Sequence, residues 1–220
     1  MAGDRIPIPS DIAHQLKRVL RLRDGDEITL LDGLGGKLLC RLDGDDCVVI
    51  SRGTAGGEAS HQLTVWQALL KGDHLEPVIR HGTELGIARF GLFVSERCIV
   101  PELSPRKLER LRAVAREAAE QSERGIVPPV DAPVRFEEAI EAAAPGSVLL
   151  YERHDGKRLT EMEAPPGVFI GPEGGFSADE VATAERAGLA IAGLGPRILR
   201  SETVAVAVVA AIFSRTGDFA

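Results

Sequence analysis

The chain has 220 residues, of which 44% are hydrophobic and 27% charged, and its formal net charge is −7. This composition is typical of a globular protein with a sizeable core in one or two domains, and no apolar run approaches the ~20 residues of a membrane span. The three cysteines and five histidines lack metal-site spacing, and no secretory segment is recognisable, so that we expect a cytoplasmic protein without a metal.

Positive charge is concentrated near the N-terminus. Residues 1–23 have a net charge of +3, which leaves −10 on the rest of the chain. A helix is predicted over 11–22, with apolar residues on one side and basic residues on the others. A local basic strip on an acidic body favours one specific nucleic-acid site, and a solvated helix face is the alternative. The candidate RNA-binding residues here are Arg5, Lys17, Arg18, Arg21 and Arg23.

Three short strands are predicted next, at 27–31, 37–42 and 47–51, with Asp-Gly pairs marking the turns between them. A Gly/Ala/Ser-rich segment over 53–60 is typical of a linker. We therefore predict a small β-rich domain over 1–58 and a second domain over 62–220.

Strands alternate with helices in this second domain. Strands are predicted at 63–70, 90–94, 147–151, 168–170 and 190–194, and helices at 73–85, 104–123, 136–144, 177 onwards and 204–213. Asp73 is predicted to cap the first of these helices, and Ser104-Pro105 to begin the second. The alternation predicts an α/β domain with a largely parallel sheet covered on both faces.

Two loops near the C-terminus contain the residues that we expect to bind a ligand. Each follows a strand and precedes a helix, which is where ligands bind in open α/β sheets. Glycines at these positions let backbone amides approach a ligand closely, and Ser177 with Glu180 predicts a capping box. Two ordinary strand-to-helix turns are the alternative. However, a merely structural loop does not need the polar residues that crowd the second one: Arg197, Arg200, Glu202 and Thr203.

The segments 171–180 and 194–203, GPEGGFSADE and LGPRILRSET, resemble two motifs of the RsmE family within the SPOUT superfamily of methyltransferases. Matching segments at 67–72, 83–86, 95–98 and 120–124 extend the resemblance over essentially the whole chain. That family uses S-adenosylmethionine (SAM) to methylate N3 of one uridine in 16S ribosomal RNA of the small subunit. The resemblance implies a PUA-like RNA-binding β-barrel, a SPOUT α/β domain with a trefoil knot at about 167–213, and a homodimer.

The resemblance also implies a cofactor site formed by three loops. The implied SAM-binding residues are Leu150, Tyr151, Ile170, Gly171, Pro172, Glu173, Gly174, Gly175, Leu194, Gly195, Ile198, Leu199, Arg200 and Thr203. Arg200 is our candidate for contact with uracil or phosphate, because a guanidinium stays charged and offers a fork of donors. Glu202 is a candidate base or an orienter of Arg200, and Glu173 is a weaker alternative. A first-turn carboxylate favoured by the helix dipole is the other interpretation of Glu202.

Arg97, in the matching segment 95–98, joins the RNA-binding candidates. The chain begins close to its first predicted helix, so that we expect part of the N-terminal strand of longer members to be missing. Three other functions are alternatives to this one. The first is a dinucleotide-binding enzyme, but the chain lacks the G-x-G-x-x-G motif that such an enzyme needs. A non-catalytic RNA-binding module and a SPOUT methyltransferase with another RNA target both stay open.

Overall fold

The computed structural model describes residues 4–154 and 156–219, except for the side chains of Asp11 and Gln15. The outer ends of the two predicted domains, Met1 and Ala220, lie outside these residues. The chain forms two compact units. The first contains the residues up to Gly57 together with Glu123–Ile126, and the second contains Glu58–Ser122 and the residues from Val127 onwards.

The first unit is a four-stranded antiparallel sheet in the order β1-β4-β3-β2. Its strands are β1 (Arg5–Pro7), β2 (Glu27–Leu31), β3 (Gly36–Asp43) and β4 (Asp46–Thr54). The three strands predicted from alternation are present, and β1 is a short N-terminal strand that pairs with β4. Its small core consists of Ile28, Cys40, Leu42 and Cys47, with further apolar side chains packed around them.

The predicted basic helix is shorter than expected. Helix α1 (Ser10–His14) continues as a π-helical turn over Gln15–Val19. The helix stops there because the backbone N–H of Leu22 turns back to the carbonyl of Leu16, and Arg21 adopts a left-handed φ of 58°.

The second unit is a six-stranded sheet in the order β10-β8-β9-β5-β6-β7, and every neighbouring pair is parallel. Its strands are β5 (Thr64–Ala68), β6 (Arg89–Val94), β7 (Val134–Arg135), β8 (Val148–Leu150), β9 (Gly167–Ile170) and β10 (Ala190–Ala192). Its helices are α2 (Leu75–Glu84), α3 (Pro105–Gln121), α4 (Phe136–Ala142), α5 (Ala178–Arg186) and α6 (Ser201–Thr216), with a 3₁₀ turn at Leu159–Glu161. The predicted mixed α/β fold with a parallel sheet is confirmed.

Helices cover both faces of this sheet because neighbouring strand residues point to opposite sides. Val65 belongs to the cluster beneath α2, α3 and α6, whereas Trp66 belongs to the aromatic cluster beneath α4 and α5. Trp66 stacks on Phe169 with ring centroids 5.4 Å apart. The sheet is therefore buried on both sides, and its strands are almost continuously apolar.

The first residues of the helices confirm two of the predicted caps and contradict a third. Ser104 Oγ accepts the N–H of Lys107, and the Ser177–Glu180 capping box forms as predicted. The prediction that Asp73 caps α2 is wrong, since the cap position is His74 and no side chain caps the helix. Helix α6 begins at Ser201, three residues earlier than predicted. Its first turn therefore contains Glu202 and Thr203, and Arg200 occupies the cap position.

Among the described residues, no helix combines the length and the apolar character that crossing a membrane would require.

Candidate active site

Four neighbouring strands of the sheet, β10, β8, β9 and β5, end at one edge because they are parallel. The segments that follow them, together with the start of α6, line one cavity of about 720 Å³. This volume lies in the range of small-molecule sites. The two glycine loops, 24 residues apart in the chain when counted from Gly171 to Gly195, thus border the same space.

Most of the predicted cofactor residues line this cavity. They are Leu150, Tyr151, Ile170, Gly171, Pro172, Glu173, Gly174, Gly175, Leu194, Gly195, Ile198, Leu199 and Arg200. Glu202 lines it as well, whereas Thr203 is exposed in the first turn of α6 and does not. The cavity has an apolar floor at Leu150 and Ile170, which are buried, and charged groups around it. This combination fits a ligand with an aromatic base and a charged amino-acid part, as SAM has.

The first glycine loop, residues 171–176, is anchored by side chains from elsewhere in the unit. Arg97, after β6, donates from Nη1 to the carbonyls of Gly174 at 3.2 Å and Phe176 at 3.3 Å. Glu173 Oε1 accepts the backbone N–H of Lys71, after β5, at 3.0 Å. These contacts fix the loop against the ends of β5 and β6.

Gly175 is required by the shape of this loop. Its φ is +66°, a conformation that side chains with a Cβ rarely adopt. A Cβ at this position would also lie 2.7 Å from Oε1 of Glu152, which lines the cavity after β8. The backbone constraint is the firm one, since the end of the flexible Glu152 side chain can move away, although such a move would disturb the cavity wall.

A buried polar chain joins the first loop to α6. Gln67, fully buried on β5, donates from Nε2 to Ser201 Oγ at 2.9 Å. Ser201 Oγ in turn donates to the carbonyl of Gly171 at 2.6 Å. The start of α6 is thus tied to β5 and to the first loop by two buried side chains. Both bonds were absent from the sequence-based expectations.

Glu202 contacts a residue that the sequence analysis did not assign to the site. Its Oε1 lies 3.2 Å from Nδ1 of His74, at the start of α2. Burial alone would raise the pKa of Glu202, but its own backbone N–H, the hydrogen bond with His74 and the charge of Arg200 together lower it. The carboxylate therefore stays ionised at neutral pH. Its hydrogen bond is to His74 and not to Arg200.

Four titratable residues that were not among the predicted site residues complete the wall of the cavity. They are Lys71, His74, Glu152 and Arg153, of which Glu152 lies at a strand end that was expected to form a ligand loop. Lys71 and His74 follow β5, and the signal that could have found them is their position after a predicted strand. Sequence patterns do not show that β5 lies beside β9, and this adjacency is what brings them to the site. Within the described ranges, no group of three or more His, Cys, Asp and Glu side chains could hold a metal ion.

The other RNA-binding candidates lie in the first unit, and all five are exposed. Arg5 pairs with Asp43 at 2.7 Å and with Asp46 at 3.3 Å, and Lys17 pairs with Asp45 at 2.8 Å. The remaining three candidates, Arg18, Arg21 and Arg23, make no side-chain ion pair within the described part of the chain. Among the described residues, the basic strip therefore contains two cations in ion pairs, Arg5 and Lys17, and three without one.

Comparison with known families defines the class of protein. Residues 57–213 match the family model of an RNA methyltransferase domain, and residues 8–50 match that of an RNA methyltransferase PUA domain.

Individual relatives narrow this class to one family. The chain is 36% identical to ribosomal RNA small subunit methyltransferase E of Synechocystis, over 90% of this chain and 69% of that protein. It is 31% identical to the Bacillus subtilis protein of the same name, over 95% and 90% of the two chains. A crystal structure of this methyltransferase from Neisseria gonorrhoeae, bound to SAM, superposes with a TM-score of 0.86 at 30% identity, covering 98% of this chain and 93% of that one. The chain belongs to the ribosomal RNA small subunit methyltransferase E family, which is the family that its two loop motifs resemble.

Proposed function

We propose that this protein is a SAM-dependent methyltransferase that modifies 16S ribosomal RNA of the small subunit, and that the methyl group goes to N3 of one uridine. The observation that supports the proposal most directly is the convergence of both glycine loops and the start of α6 on one cavity of about 720 Å³. A binding module without catalysis has no use for such a cavity.

The residues around the cavity suit the two ends of SAM. Leu150, Ile170 and Leu199 offer apolar contact for the adenine, and the glycines of both loops let backbone groups approach the ligand. Glu152 and Glu173 offer negative charge near a sulfonium or an ammonium. When bound, SAM supplies an activated methyl group on positively charged sulfur. The protein has to orient this group towards the acceptor and exclude water.

The acceptor nitrogen of uridine bears a proton that must leave as the methyl group arrives. We assign to Arg200 the contact with the uracil oxygens or the adjoining phosphate, because it is exposed at the rim of the cavity. Glu202, whose pKa is lowered, is a poor proton acceptor and better suited to orienting a neighbour. Glu173 is occupied with the backbone of Lys71, and we assign it to holding the first loop.

The remaining assignments complete the proposal. The basic strip of the first unit and Arg97 contact ribosomal RNA, with Arg97 also holding the glycine loop. We place the PUA-like domain at 1–58 and the SPOUT domain at 62–220, with the trefoil knot at about 167–213. The protein acts in the cytoplasm as a homodimer.

Two measurements test the activity. Equilibrium dialysis with SAM should show uptake of one molecule per chain, whereas an RNA-binding module predicts none. Small subunits from cells that lack this protein should then acquire a single methyl group, mapped by mass spectrometry of digested 16S RNA to N3 of one uridine. Methylation of another base would refute the target and retain the enzyme class, and absence of SAM uptake would refute both.

Single-turnover methylation tests the roles of Arg200 and Glu202. We expect Arg200→Ala and Glu202→Gln to lower the rate by at least about 100-fold, the lower range for a lost electrostatic or proton-transfer contribution, with little change in SAM binding. Arg116→Ala is the matched control, since Arg116 is exposed on α3 and does not line the cavity. Unchanged rates in the first two variants would remove both residues from the mechanism.

A further inference from the structure

His74 and Glu202 form a carboxylate–imidazole pair in the wall of the cavity. The two residues are 128 positions apart in the chain, and Nδ1 of His74 lies 3.2 Å from Oε1 of Glu202. Both side chains line the cavity, and they are only partly exposed, His74 at 39% and Glu202 at 19%. Within the described residues, Nε2 of His74 makes no hydrogen bond. The arrangement leaves one ring nitrogen fixed by the carboxylate and the other available.

An ionised carboxylate at one ring nitrogen determines the tautomer of a neutral imidazole. Because Glu202 can only accept a hydrogen bond when ionised, His74 must place its ring proton on Nδ1. Its Nε2 then presents a lone pair. Proton-abstracting sites on many folds use the same arrangement, in which a carboxylate orients an imidazole through one ring nitrogen and the other ring nitrogen takes the proton.

We propose that His74 is the general base of the methyl transfer and that Glu202 is the residue that positions it. The inference deepens the proposed function and rests on it. The lone pair of uridine N3 bonds to the methyl carbon, and the carbon–sulfur bond breaks with its electron pair staying on sulfur. The N3 proton moves to Nε2 of His74, and the resulting imidazolium is stabilised by Glu202. His74 then returns the proton to solvent, to which its side chain is partly exposed.

Other charged groups surround this pair and set its local field. From the cavity wall these are Lys71, Glu152, Arg153, Glu173, Arg197 and Arg200. On the side of α3, Lys107 lies 4.0 Å from Asp73, and Arg110 pairs with Glu76 of α2 at 3.3 Å. These groups comprise six cations and four carboxylates, and Glu202, the fifth carboxylate, is the group in hydrogen-bond contact with His74.

The kinetic test compares His74→Gln with His81→Gln, an exposed histidine on the same helix. Single-turnover methylation of small subunits is followed between about pH 5.5 and 8, the range in which imidazole ordinarily titrates. The wild type and His81→Gln should show a rate that rises through one ionisation. His74→Gln should lose about 10²–10⁴-fold and show no such rise, with SAM binding unchanged within about twofold.

A readout that needs neither RNA nor SAM comes from nitrogen-15 spectra of the histidine rings. In the wild type at a pH where the ring is neutral, His74 should be protonated on Nδ1 and not on Nε2. Glu202→Gln should remove this preference, because an amide can donate as well as accept.

Each outcome decides a defined claim. Two results would overturn the role of His74 alone. The first is a methylation rate in His74→Gln that falls by less than about fivefold while the wild type methylates normally, and the second is a neutral His74 ring in the wild type that is protonated on Nε2. A wild type that binds SAM but never methylates ribosomal RNA would overturn the proposed function and this inference with it.

Discussion

The hydroxyl of Ser201 connects β5, α6 and the first glycine loop, and we predict that Ser201→Ala destabilises the second unit. This hydroxyl receives the amide N–H of Gln67 at 2.9 Å and donates to the carbonyl of Gly171 at 2.6 Å. The substitution removes both bonds, so that the buried amide of Gln67 loses one acceptor and the half-buried carbonyl of Gly171 loses this donor.

The expected magnitude follows from these two groups. A typical hydrogen bond contributes about 0.5–1.5 kcal/mol net, and an unsatisfied buried partner costs about 1–3 kcal/mol. Gln67 keeps a bond from Nε2 to the carbonyl of Ala68 at 3.2 Å, which limits the loss on its side. We therefore expect Ser201→Ala to lower the free energy of unfolding by about 2–3 kcal/mol. For a chain of this length that corresponds to a fall in Tm of about 5–10 °C.

Fluorescence of Trp66 during urea unfolding provides the assay, because this residue is the chain's single tryptophan and is buried in the second unit. Ser214→Ala is the matched control on the same helix, since Ser214 is exposed and, among the residues that the structure describes, its hydroxyl bonds only to the carbonyl of Ala211. The control should shift stability by no more than about 0.5 kcal/mol. A Ser201→Ala variant as stable as the control would refute the reasoning that the buried chain holds α6 to the first loop.

Three further predictions concern the loops and the first unit. Gly175→Ala should weaken SAM binding at least about tenfold by calorimetry, because alanine is strained at a φ of +66° and its Cβ would push on the side chain of Glu152. Gly188→Ala is the control: its φ is +87°, but the space around it is open, and SAM binding should be unchanged. Arg97→Ala should weaken SAM binding about 5–30-fold, since two carbonyl contacts of the first loop are lost, and an unchanged affinity would contradict that anchoring role. The backbone N–H groups of Leu34 and Gly36 lower the pKa of Asp32 below its ordinary value of 3.8. The ionised carboxylate therefore stabilises the fold above that pH, and this contribution is lost as the pH falls through the lower pKa of the folded state. The stability difference between wild type and Asp32→Ala should therefore be constant near neutrality and vanish in acid, as measured by urea unfolding at each pH.

Local patterns in the sequence predicted most elements of this protein and located the two glycine loops, but not the short strands β1 and β7. Alternation placed β2 at its observed residues, 27–31, and the capping residues placed the starts of α3 and α5. These features depend on side chains within a few residues of one another, which is the range over which capping and periodicity act. The glycine loops could be located for the same reason, since each is defined by its own strand exit and helix entrance.

The tertiary structure alone decided which segments meet at the cavity. The order β10-β8-β9-β5 places β5 beside β9 at one side of the cavity, and with it come Gln67, Lys71 and His74. Gln67 reaches Ser201 across 134 residues, and His74 reaches Glu202 across 128. Strand order is set by how whole helices and strands pack together, because parallel strands present similar apolar faces to any neighbour. No local pattern encodes that choice, and the residues that depend on it became visible only in the folded chain.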